Sequence, residues 1–81
     1  MGKAEHWQDR ARQLYRVAQS ELQERWSGPQ IGDAAFLKEE LEEALLDLKQ
    51  AVIDDQQHDA AFYEHEVKFN LTELRRLAGN S

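Results

Sequence analysis

The sequence predicts an all-α fold: a three-helix up-down-up bundle, or a helical hairpin with a long second helix, either form dimerising into a larger bundle. Three observations carry this. Apolar residues recur at spacings of three and four along most of the chain, and no stretch alternates as a strand does. Both mid-chain glycines and the only proline fall in one short segment, residues 27–33. The 22 Leu, Ile, Val, Phe, Trp and Tyr residues among 81 suffice for the core of one small domain, residues 1–81, but not for a deep substrate cavity.

The first helix is expected over about residues 3–26. Trp7, Ala11, Leu14, Tyr15, Ala18, Leu22 and Trp26 share one face of a 3.6-residue helix, and Val17 points elsewhere. Asp9 with Arg12, and Glu21 with Arg25, stand three and four apart with the acid first, the favourable order for helix pairs. Ser27-Gly28-Pro29 then ends the helix: Gly28 suits a C-terminal cap, and Pro29 lacks the N–H needed to continue. Asp33 is the expected N-cap of the second helix, with Ile31 packed back on its start as a staple.

The second helix, about residues 34–54, has the clearest amphipathic pattern. Leu37, Leu41, Leu45, Leu48 and Val52 line one face, and Ala34, Ala44 and Ala51 widen it with small side chains. Glu39, Glu40, Glu42, Glu43, Asp47 and Lys49 take the other. Its end is less sharply written, because residues 54–59 contain no apolar residue but also no Gly or Pro. A break there, with Asp55 or Asp59 capping a third helix over about 57–78, gives three helices of matched length. The alternative is one continuous helix over 34–78, along which a heptad series runs from Leu37 through Asp55, His58, Phe62, His65 and Phe69 to Arg76. Usual helix lengths favour the break.

In the third helix, Ala60, Tyr63, Val67, Leu71, Leu74 and Ala78 form the core stripe, and Gly79 is the expected C-terminal cap after Arg75 and Arg76. Phe62 and Phe69 lie roughly opposite that stripe, together with His58, His65 and Arg76. A helix that is apolar on two sides is usually buried on two sides. These five residues are therefore the expected partner or dimer interface.

Charge narrows the choice of partner. The chain carries a net −6, of which residues 33–66 contribute eleven acidic and two basic side chains. Such a surface repels phosphate backbones, so nucleic acid is not an expected partner. No apolar run is long enough to span a bilayer or form a secretory leader, and a cytoplasmic protein without membrane contact is expected. There is no cysteine, hence no disulfide scaffold and no thiolate metal site. Asn70-Leu71-Thr72 matches the glycosylation pattern, but no secretory signal accompanies it.

The chemistry of catalysis is sparse. The serines, Ser20, Ser27 and Ser81, have no evident base with an orienting group, and the carboxylates of the second helix face water in series. No glycine pattern matches a phosphate-binding loop. A non-enzymatic protein with no cofactor is expected. One alternative is a metal-binding helical protein using Asp55, His58 and His65, since Asp55-x-x-His58 has the spacing of bundle di-metal sites, though it occurs once.

Trp26-Ser27-Gly28, set between two helices, resembles the Trp-x-Gly turn of the small secreted helical-hairpin proteins of type VII export. That resemblance implies a cysteine-free, dimeric, exported hairpin. The export signal of that family, Tyr-x-x-x-acid, is not matched, because Val67 stands four residues after Tyr63. The expectation that emerges is a small acidic interaction or regulatory module acting through an apolar helix face, on a protein partner or on itself as a homodimer.

Overall fold

The computed structural model describes residues 6–79 and, among them, contains helices only. α1 spans Trp7–Arg25, α2 Gly32–Ile53 and α3 Gln57–Gly79, of 19, 22 and 23 residues. They stack as an elongated bundle of 45 × 20 × 17 Å. The part of the first helix expected over residues 3–5 lies outside the described residues, as do Asn80 and Ser81.

The continuous 34–78 helix is overturned. α2 ends at Ile53, and the chain reverses through Asp54, Asp55 and Gln56. Asp55 has φ of 58°, a left-handed conformation that Asp tolerates better than most residues, so the reversal needs no glycine. The N–H groups of Asp54, Asp55 and Gln56 donate to the carbonyls of Gln50, Val52 and Ala51, which satisfies the end of α2. With that turn the two-helix outline of the export-hairpin resemblance is also lost, since α2 and α3 are separate antiparallel helices.

The other terminal expectations need correction. α1 is capped by Trp26, whose N–H reaches Leu22 O at 2.9 Å, so Gly28 lies beyond the cap and its φ is not positive. Gly32 is the glycine that uses its freedom: at φ of 62° it opens α2, where an L side chain would be strained. The helix therefore begins one residue before Asp33. Asp33 sits inside the first turn and makes no side-chain cap, and Ile31 occupies the cap position. Ile31 is also no staple. The left-handed step at Gly32 leaves it 88% exposed. At the far end Gly79 is still helical rather than a cap.

The core stripes hold. Leu41, Leu45 and Leu48 of α2 and Ala60, Val67, Leu71 and Leu74 of α3 are buried, with Ala11, Ala18 and Leu22 of α1 and the capping Trp26. Trp7, Leu14, Tyr15, Leu37, Val52, Tyr63 and Ala78 pack at its margins. Ala44, Ala51 and Ala60 are buried as well, and small side chains let helices approach closely. The most extensive interface is α2 against α3, with α1 laid against both. One polar side chain joins this core unforeseen. Asn70 is 5% exposed, and its amide nitrogen donates to Glu66 O of the preceding turn at 2.9 Å.

Candidate interaction surface

α1 fixes which sides of α2 and α3 remain free. It meets α2 along a groove floored by Ala11, Tyr15, Leu48 and Val52, of about 500 Å³, with Arg12, Arg16 and Lys49 at its rim. It meets α3 along Leu14, Val17, Glu64 and Lys68. Among the described residues, two side-chain links fasten it. Gln8 Nε2 donates to Asp55 Oδ1 at 3.0 Å, tying the start of α1 to the α2–α3 turn. Arg75 closes on Glu21 with Nε and Nη2, at 2.8–3.1 Å, across 54 residues of sequence.

That second link has electrostatic consequences. The Arg75 hydrogen bonds hold the Glu21 carboxyl below the usual carboxylate range. The partial burial of Glu21 opposes this, and the charges of Arg75 and Arg25 add to it. Arg75 is in turn held more firmly protonated by its hydrogen bonds to Glu21. The expected Glu21–Arg25 pair exists only loosely at 3.9 Å, whereas Asp9–Arg12 forms at 3.0 Å. Arg75, expected to serve the helix end, reaches α1 instead. Arg76 pairs with Glu73 at 3.2 Å and takes the last-turn position.

On α3 the structure places His58, Phe62, His65, Phe69 and Arg76 all at the surface. Phe62 is 59% and Phe69 55% exposed, and the Phe62 ring meets Tyr63 edge-on at 5.3 Å. A third phenylalanine, unassigned by the sequence, behaves likewise: Phe36 of α2 is 62% exposed. These are all the phenylalanines of the chain. Leu46 and Ile53 are also exposed, toward the α1 side of α2, where Leu46 borders Tyr15 and Trp26 and Ile53 borders Ala11 and Val52.

The metal alternative finds no assembled site. Among the described residues, no three His, Asp or Glu groups are placed to hold an ion. Asp55 sits in the turn and accepts from Gln8, His58 opens α3, and His65 lies two turns on, about 10 Å along the axis. The candidate glycosylation residue, Asn70, is in the core. No described helix is long and apolar enough to cross a membrane. Trp26 is 8% exposed, and its indole Nε1 is buried without a hydrogen-bond partner among the described residues. Set against known protein families, curated proteins and solved structures, the chain matches none of them.

Proposed function

We propose that this chain is a small acidic, non-enzymatic interaction or regulatory module. Its working surface is the α3 stripe, with Phe62 and Phe69 as apolar anchors and His58, His65 and Arg76 at their flank. The observation that carries this reading is the distribution of aromatic surface. Every phenylalanine is more than half exposed, while Leu, Ala and Val close the core. Exposed aromatic area on a small acidic domain marks a contact site better than a folding element. Burying each ring would contribute ~1.5–3 kcal/mol before association costs.

The occupant in this reading is another cytoplasmic protein or a second copy of the chain. Sedimentation of wild type and of a Phe62→Ser/Phe69→Ser variant, with helicity followed in parallel, tests the second. A wild-type dimer that dissociates on substitution, with helix retained, supports self-association through the stripe. A monomeric wild type at tens of micromolar removes the homodimer and leaves the stripe to a different protein. A dimer that survives both substitutions places the contact elsewhere.

A further inference from the structure

The three phenylalanines belong to one surface. At about 100° per residue, Phe36 lies about 160° around α2 from Val52, which faces α1. Phe62 lies a similar ~160° around α3 from Glu64, which also faces α1. Both helices thus turn their phenylalanines to the side of the α2–α3 pair that α1 leaves bare. Because α2 and α3 run antiparallel through a tight turn, Phe36 stands level with residues near Leu74. The anchors then follow the seam in the order Phe62, Phe69, Phe36 over about 18 Å, roughly 12 helical residues.

The seam between them is acidic. The same rotation brings Glu40, Glu43 and Asp47 of α2 to its near side and Glu66 and Glu73 of α3 to its far side. Glu40, Glu66 and Glu73 are half-buried there. Among the described residues, the cation beside this seam is Arg76, which is paired with Glu73. A second copy would set two such rows of carboxylates face to face, which like-charge repulsion opposes.

We infer that the α2–α3 seam docks a basic amphipathic helix of another protein, its apolar side chains on Phe36, Phe62 and Phe69 and its Lys or Arg side chains on the carboxylates between them. This rests on the α3 stripe being an interaction surface and adds Phe36, the seam and the sign of the partner. An amphipathic helix lays its apolar side chains on such anchors, and surrounding charge of opposite sign adds specificity and speeds encounter.

The test uses two synthetic peptides of about 18 residues, long enough to cover the seam with a turn to spare at each end. Both carry Leu along one helical face; the remaining positions are Lys in one and Glu in the other. Binding to the full chain is followed by fluorescence anisotropy and by amide shift mapping. The expected result is shifts centred on Phe36, Phe62 and Phe69. The Lys peptide should bind at least about tenfold tighter than the Glu peptide, with affinity falling as salt is raised. Phe36→Ser and Phe62→Ser/Phe69→Ser should each weaken it about tenfold, as loss of a buried anchor does. Glu43→Gln/Asp47→Asn should weaken it with the apolar contact intact.

If Phe62→Ser/Phe69→Ser weakens binding but Phe36→Ser and the peptide charge do not, the inference fails and the stripe survives. Self-association lost in Phe62→Ser/Phe69→Ser, with no binding of the Lys peptide, makes the occupant a second copy and has the same consequence. Peptide binding and self-association both indifferent to Phe62 and Phe69 would overturn the inference and the proposed function together.

Discussion

The two faces of the α2–α3 pair make an instructive contrast. Under α1, Leu45, Leu48, Leu71 and Leu74 are nearly or fully withdrawn from water. On the opposite face Phe36, Phe62 and Phe69 keep more than half of their surface exposed. Both faces carry large apolar side chains, although the bare one sets them among carboxylates. What separates them is cover: α1 is one helix wide and shelters one side only. Apolar content therefore does not distinguish a folding face from a docking face. The third element decides, by where it lies.

That contrast is open to direct attack. Leu48→Ala should cost ~2–5 kcal/mol, since the side chain is fully withdrawn from water and its removal leaves unfilled space. Urea denaturation followed by circular dichroism measures it. A loss below about 1 kcal/mol would mean that α1 does not seal this face.

The fastening of α1 should contribute less. Glu21→Gln removes a bidentate pair that is partly solvated on the Arg75 side, with an expected loss of ~0.2–1 kcal/mol at neutral pH. The pH dependence has a definite sign. Glu21 has a lowered pKa in the folded chain, so its stabilising effect is fully present above the unfolded carboxylate pKa of about 4.3. It is lost as pH falls through the lower folded value. The stability gap between wild type and Glu21→Gln should close over that acidic window. A gap that persists below it would point to packing rather than charge.

Phe69→Ser should change the stability of the isolated chain by less than about 0.5 kcal/mol, because the residue is already more than half exposed. The same holds for Glu42→Ala on the solvated side of α2. A Phe69→Ser loss comparable with Leu48→Ala would return that phenylalanine to the core and remove the contrast.

Much of this was legible in the sequence. The stripes of all three helices follow from spacing alone, since Leu41, Leu45 and Leu48, or Val67, Leu71 and Leu74, have one face on which to meet. The segment 27–33 announced itself by Gly and Pro. The 54–59 boundary did not, because an Asp at positive φ performs a turn usually signalled by glycine. Asn70 is polar, and a polar side chain carries no burial signal of its own. Yet its spacing of three from Val67 and four from Leu74 had placed it on the buried stripe.

The contact of Glu21 with Arg75 has no local signal, for its partners meet only when α1 and α3 are packed together. Phe36 was opaque for a similar reason. Its angle on α2 acquires meaning only once the position of α1 is known.

The buried indole of Trp26 has an optical consequence. The chain has two tryptophans, and they stand at opposite ends of α1: Trp7 half-sheltered at its start, Trp26 buried at its cap with its indole N–H unpartnered among the described residues. An indole cut off from water and from any acceptor emits at shorter wavelength than a wetted one. The protein's intrinsic fluorescence thus reports on α1 at both of its ends and hardly at all on the α2–α3 hairpin. If α1 lifts away as a local opening unit, emission will shift to the red while the ellipticity of the hairpin persists. The bundle carries its own gauge of that first step of opening.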